Sequence, residues 1–347
     1  MMIYLFVLFY VFAISAESLS YKRQMQLLLV VCVALAFGAG FRSMTWPDTM
    51  VYVMAFLDYT PSLLDYSLSD SPFGYSEKGF YFIGVIVKTF TGDPTIDLLV
   101  VSLLTFLFLF IFLKKYAIYP FLGICVYLAR FFVGRNLIQI RTGLAYAIII
   151  LGVRFITERD WKRYFTLVFI AYLFHRSAII AVPLYFISYI NFKKWHVVLI
   201  IAIAFIIGGF FTETLQNYIV ETSQDLNVAT TYTQSSYIHK AKGLSNPLIY
   251  MQTFLLFAYT FYEKRLKSLV PQYYTIRTGY MYSTFILIAF SMFTALSGRT
   301  STMFATLEII IIPSLIHIFD KKNRLIAYVI LGIVLTVIMY INISNKS

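Results

Sequence analysis

Six arginines stand apart from the other basic residues of this 347-residue chain. Arg42, Arg130, Arg135, Arg141, Arg176 and Arg299 lie in or beside apolar stretches, whereas most of the remaining basic residues gather in small clusters between such stretches. A guanidinium stays charged in a low-dielectric site and pairs with phosphate through two parallel hydrogen bonds, which a strongly hydrated ammonium does not. Taken singly, each arginine can be a helix-end anchor that snorkels to headgroups. As a set they point to a polyanionic ligand. The run RFFVGRNLIQIR, residues 130–141, reads as three arginines around a short outer turn before an apolar helix. An anion there would also meet the unpaired amides at the helix N-terminus.

Three other residues carry candidate chemistry. His175 precedes Arg176 inside an apolar run, where an ionisable group is a functional candidate, although a lone histidine in such a run also serves as a hydrogen-bonded structural residue. Asp48, in FRSMTWPDTMVY, follows a proline, a context that by itself builds a turn. Glu308, in ATLEIIII, is placed to neutralise an arginine of a neighbouring helix rather than to catalyse. Cys32 and Cys125 both fall in apolar stretches and suggest neither a disulfide nor a thiolate metal site. Walker, dinucleotide-loop, HExxH and GxSxG motifs are absent, so no nucleotide, metal or cofactor is expected.

The elements that must position these residues follow from composition. With 60% hydrophobic and 13% charged residues and a mean hydropathy of +0.78, the chain has too little polar surface for a soluble globule. The expected fold is all-α: a single polytopic transmembrane domain over 1–347 with about 10–12 transmembrane helices. The net charge of +12 reads as topology rather than nucleic-acid binding. The N-terminal run MMIYLFVLFYVFAISA lacks a basic leader and is expected to be a retained first helix.

Apolar runs fall at about 2–16, 25–40, 95–113, 118–133, 142–157, 164–190, 196–211, 247–262, 273–296, 302–319 and 325–343. The clusters Lys22/Arg23, Lys114/Lys115, Arg159/Lys162/Arg163, Lys193/Lys194, Lys264/Arg265/Lys267 and Lys321/Lys322/Arg324 are all assigned to the cytoplasm by the positive-inside rule. All six fit only under two conditions. The run 164–190 must be a hairpin with His175 and Arg176 at its apex, and 79–91 must be a short or interfacial helix rather than a full crossing. Two segments, 41–94 and 212–246, are then periplasmic loop regions. The first is rich in tyrosine and holds Asp48, Asp58, Asp65, Asp70, Glu77 and Asp93. The second is the longest polar stretch, with side chains suited to sugar contacts. No internal repeat is visible, which weakens an inverted-repeat transporter.

The order of features resembles the EpsG family of bacterial polysaccharide proteins, a branch of the Wzy-type O-antigen and capsule polymerases. The resemblance lies in Phe41-Arg42 to Asp48 and Tyr52, in Glu77, Gly79 and Phe80, and in Arg141-Thr-Gly-Leu-Ala145. Further on it includes Ala171, His175 and Ser177, and a late loop arginine in Ser297-Gly298-Arg299. It covers roughly residues 40 to 305. This chain departs from the family pattern at Trp46-Pro47, where a glycine is usual two residues before the aspartate, and at Thr142, where glutamine is usual. The resemblance implies transfer of a glycan from one undecaprenyl-pyrophosphate-linked unit to a sugar hydroxyl on another, at the periplasmic face of the bacterial inner membrane. It also implies membrane lipid and a chain-length regulator protein as partners. Arg42, Arg135, Arg141, Arg176 and Arg299 would bind pyrophosphate and glycan, because preorganised arginines stabilise a leaving group whose charge grows. His175, Asp48 or Glu77 would take the acceptor's proton. An O-antigen ligase would use the same arginines with a different acceptor. A lipid-linked-sugar flippase would carry more spans, and a membrane O-acyltransferase would not need so many outer arginines.

Overall fold

The computed structural model describes residues 2–67, 77–210, 243–292 and 294–344, and every described element is helical. Long apolar runs with no water to satisfy their backbone must take up helix. Among the described residues, five helical stretches are long and apolar enough to cross a membrane unaided: Tyr21–Gly40, Pro94–Tyr116, Pro120–Ile138, Ile140–Thr157 and Lys321–Ser344. Shorter apolar helices complete the bundle. In chain order these are α1 (Met2–Ala16), α2 (Tyr21–Gly40), α3 (Thr49–Tyr59), α4 (Lys78–Phe90), α5 (Pro94–Tyr116), α6 (Pro120–Tyr127), α7 (Ile140–Leu151), α8 (Val153–Thr157) and α9 (Trp161–Phe174). They continue with α10 (Val182–Ile187), α11 (Lys194–Phe210), α12 (Pro247–Phe261), α13 (Tyr273–Ala289), α14 (Thr294–Ala305), α15 (Glu308–Ser314) and α16 (Arg324–Ser344).

Hydrogen bonds place the basic clusters at one end of the bundle. Tyr21 donates to the Lys114 carbonyl at 3.5 Å, Arg159 to Ser188 Oγ at 2.9 Å, and Lys194 to the Phe261 carbonyl at 3.0 Å. Thr157 and Thr275 share a hydrogen bond of 2.6 Å, and the rings of Tyr119 and His317 stack at 5.3 Å. Glu17 belongs to this end and locks it. Its Oε1 accepts the amides of Phe121 and Leu122 at 2.7 and 3.0 Å, satisfying the N-terminus of α6, while Oε2 accepts from Gln24 at 2.7 Å. Burial pushes this carboxyl up to about 7, against the lowering effect of the two amides.

The expected hairpin is present. α9 ends at Phe174, His175 is extended, a 3-10 turn over Arg176–Ala181 follows, and α10 returns. Tyr164 on the outgoing arm donates to the Ala181 carbonyl at 2.7 Å and stacks on Tyr185 of the returning arm. α4 has 13 residues, about 20 Å at 1.5 Å per residue, short of the roughly 30 Å hydrocarbon core.

Three expectations need correction. Segment 41–94 holds, besides the expected short helix at 79–91, a second helix, α3, where a loop was expected. Residues 130–141 do not form a turn: α6 runs on as a π-helix over Leu128–Ile138, leaving only Gln139 between it and α7. Buried partners for the π segment's polar side chains hold it helical where composition alone suggested a break. Arg299 lies within α14 rather than in a loop. Most of the polar stretch 212–246 lies outside the described residues, of which Gly243–Ser245 form a 3-10 turn.

Candidate functional site

At the end opposite the basic clusters, the C-terminus of α2, the start of α5 and the π segment meet. Gly40 allows it: a Cβ there would fall 2.7 Å from the Leu99 Cα, so only glycine lets α2 cross α5 so closely. Two residues on, Arg42 is 6% exposed. Its Nε donates to Thr49 Oγ1 at 3.1 Å, and its Nη1 donates to the carbonyls of Ala39 and Asn136 at 3.2 and 3.1 Å. Its Nη2 is buried and has no hydrogen-bond partner among the described residues. Burial pushes this guanidinium down to about 10, and the proximity of Tyr52 and Asp97 works against that shift. It remains charged near neutral pH.

Tyr52, buried on α3, lies beside Arg42 and hydrogen-bonds Arg141. Arg141, in the first turn of α7, has its guanidinium 5.7 Å from the Tyr52 ring centroid and pairs through Nη1 with Glu77 Oε2 at 2.5 Å. Glu77 is the buried N-cap residue of α4. Four elements distant in sequence thus converge on one cationic pair flanked by a carboxylate and a phenol. Asp48 lies next to it, exposed, with φ of 63°. That left-handed conformation is disfavoured for a side chain with a Cβ but best tolerated by Asp and Asn. It turns the chain from Pro47 into α3, so that Thr49 reaches Arg42.

A second group lies across α7. His175 Nδ1 is 2.6 Å from Ser177 Oγ and accepts the Ser177 amide at 3.2 Å, capping the 3-10 turn. Ser177 Oγ is 3.0 Å from the hydroxyl of buried Tyr146 on α7. Gly79 joins the groups: a Cβ there would fall 2.8 Å from the Leu173 carbonyl oxygen, so α4 approaches the end of α9 only because this residue is glycine. Arg176 is exposed. Arg135 is held inside the bundle, with Nη1 donating to Thr306 Oγ1 at 2.7 Å, Nη2 donating to the Thr302 carbonyl, and its guanidinium 5.2 Å from the Tyr146 ring centroid. Arg299 stands one turn before Thr302 on α14, and its side chain lies outside what is described.

The structure therefore brings together Arg42, Arg141 and Glu77, with Asp48 at their edge, and sets His175 on the neighbouring hairpin. It gives Arg135 internal partners. Two further groups were passed over in the sequence. Asp97, 3% exposed in the first turn of α5, lies near Arg42, and its Oδ1 has no hydrogen-bond partner among the described residues. An acid in a first helical turn is the ordinary complement of the helix dipole, so nothing marked it as buried. Tyr146 carries no signal in a run of small and apolar residues.

A family model described as EpsG family matches residues 25–347. No curated protein and no solved structure matches the chain.

Proposed function

Because the chain belongs to the EpsG family, a Wzy-like family of polysaccharide polymerases, we propose that it joins lipid-linked glycan units at the end of the bundle bearing Arg42, Arg141 and Glu77. The donor is a glycan on undecaprenyl pyrophosphate, the acceptor is a sugar hydroxyl on a second lipid-linked unit, and the reacting face is periplasmic. The observation that carries this reading is the Arg42 Nη2, a charged donor buried without a hydrogen-bond partner among the described residues. A buried donor left unsatisfied is costly, and a phosphate oxygen is the acceptor that satisfies it best.

In the reaction the bond from the donor's anomeric carbon to the pyrophosphate oxygen breaks, and the acceptor oxygen forms the new glycosidic bond. Negative charge grows on the leaving pyrophosphate, which Arg42 and Arg141 meet from fixed positions. Glu77 orients Arg141, so the guanidinium pays little reorganisation when that charge appears. The acceptor's proton passes to a carboxylate, and exposed Asp48 is the one best placed to receive it. Lysines and arginines at the other end hold the chain's orientation in the membrane.

The test is reconstitution of the purified protein in vesicles with lipid-linked repeat units alone. A ladder of longer lipid-linked glycans is expected, and Arg42→Lys should reduce it. Transfer only when lipid core is added, with no ladder on the undecaprenyl carrier, would instead make this a ligase.

A further inference from the structure

One side of α16 stays open to the membrane from its first turn onward. Leu325, Val329, Ile333 and Val337 follow at four-residue spacing, so they stack on one face, and each is more than half exposed. Val7, Val11 and Ile14 of α1 stand opposite, and the two rows wall a groove of about 470 Å³. Tyr10 forms its floor. A Cβ on Gly332 would fall 2.6 Å from the Tyr10 Cε1, so only glycine lets that ring lie against α16. The hydroxyls along the groove are engaged: Tyr10 donates to the Tyr328 carbonyl at 2.6 Å, Thr336 to the Gly332 carbonyl at 2.7 Å, and the Tyr328 hydroxyl bonds Tyr119. A channel so lined gives water nothing to bond and suits hydrocarbon.

From Leu325 to Val337 the groove runs about 18 Å at 1.5 Å per residue, close to half of the roughly 30 Å hydrocarbon core. It starts at the basic end. Lys321 stands four residues before Leu325 and Lys322 three, in the 3-10 turn that leads directly into α16, so both exposed lysines continue the groove's row. With Arg324 they crowd the positive end of the dipole of a 21-residue helix that has no acid in its first turn, an arrangement that an anion relieves. The neighbouring acids are occupied: Asp320 lies 3.7 Å from Arg265, and Glu17, just beyond the α1 wall, accepts the Phe121 and Leu122 amides.

We propose that this groove binds an anionic glycerophospholipid of the leaflet at the basic end, with one acyl chain between α1 and α16 and its phosphate at Lys321, Lys322 and the first amides of α16. Length, dryness and charge together select that occupant. A zwitterionic lipid would fill the groove but leave the lysines uncompensated, and a second copy of the chain would bring further cations to this end. The site is separate from the Arg42 end and does not depend on glycan transfer. Asn342 of α16 donates to the Ala129 carbonyl of the π segment at 2.8 Å, so a lipid that ties α16 to α1 also steadies that segment's outer support.

The test is native mass spectrometry of the full chain purified in detergent and titrated with phosphatidylglycerol or with phosphatidylcholine of the same acyl chains. One phosphatidylglycerol should stay bound where phosphatidylcholine is lost, and it should raise the melting temperature. Lys321→Gln with Lys322→Gln should weaken that binding roughly ten- to thirtyfold, as expected for two surface cations. Removing the same charge at exposed Lys162 and Arg163 on α9, as Lys162→Gln with Arg163→Gln, should leave it unchanged. Val11→Trp with Val329→Trp, at two exposed wall positions, should obstruct the chain and abolish the preference with both lysines in place. Equal retention of the two lipids, equal losses from the two charge-removing variants, or undiminished binding in the tryptophan variant would each overturn the proposal. A lipid-free particle of two chains that the tryptophans split would overturn it too, making this face a dimer interface.

Discussion

Arg130 and Glu308 face each other in two parallel bonds, Nε to Oε2 at 2.7 Å and Nη2 to Oε1 at 3.2 Å, with the carboxylate entirely buried. The Tyr280 hydroxyl adds a third bond at 3.1 Å. The pair ties the π segment to α15 and α13. Removing one partner of a buried pair leaves a charge that nothing compensates, at a cost of about 3–5 kcal/mol. Glu308→Ala should therefore lower the melting temperature of the detergent-purified protein sharply. The double variant Arg130→Met with Glu308→Leu should recover much of that loss. Equal destabilisation by the single and double variants would show that the pair does not act as a unit.

Arg141→Lys keeps the charge but loses the planar fork that Glu77 orients. The expected result is a loss of about ten- to a hundredfold in polymer formed, equivalent to one charge-assisted contact of about 1.5–3 kcal/mol. Arg299→Lys should behave the same way if its guanidinium also binds pyrophosphate. Full-length polymer at normal expression would make these residues anchors only.

Glu17 gives a pH dependence with a definite sign. Its carboxyl is raised from an ordinary 4.5 to about 7 by burial. A group with a raised pKa binds its proton more tightly when folded, so its contribution is present below pH 4.5 and is lost as pH rises through 7. The wild-type melting temperature should fall between about pH 5 and 7.5. Glu17→Gln keeps an acceptor for the Phe121 and Leu122 amides and should flatten that slope. An unchanged slope in the variant would place the titration elsewhere.

Orientation can be read directly with single cysteines in a protein lacking buried Cys32 and Cys125. Ser43 and Ser268 are both exposed, at opposite ends of the bundle. A cysteine at Ser43 should react with an impermeant maleimide in intact inner-membrane spheroplasts, and one at Ser268 only after permeabilisation. The opposite pattern would turn the proposed reacting face to the cytoplasm.

The spans and their common polarity were legible in the sequence because hydropathy and clustered positive charge act locally and additively along the chain. The hairpin apex at His175 followed from the same charges, since Arg159/Lys162/Arg163 and Lys193/Lys194 had to return to one side. Arg42, Glu77 and Arg141 were also nameable. Their convergence was not, because it depends on α3 and α4 folding back over α5, and that is decided by contacts such as Gly79 against Leu173 rather than by periodicity. Arg277 makes the same point. It is among the largest fully buried side chains of the described residues, paired with Glu263 at 3.1 Å, yet it falls in a run read only as apolar. Its partner lies 14 residues away across a turn, and no window short enough to define a span reveals such a pair.

The π-helix over Leu128–Ile138 sets an angular relation that an α-helix would forbid. In an α-helix, residues five apart point about 140° away from each other. With hydrogen bonds running five residues, they come round to nearly the same side. Arg130 and Arg135 are five apart, and both reach toward α14 and α15, the first to Glu308 and the second to Thr306 and Thr302. The wider winding is what loads both cations onto one flank. Deleting a single residue between them would rewind the segment and swing one guanidinium out toward lipid, so the length of this stretch, and not only its composition, is under physical constraint.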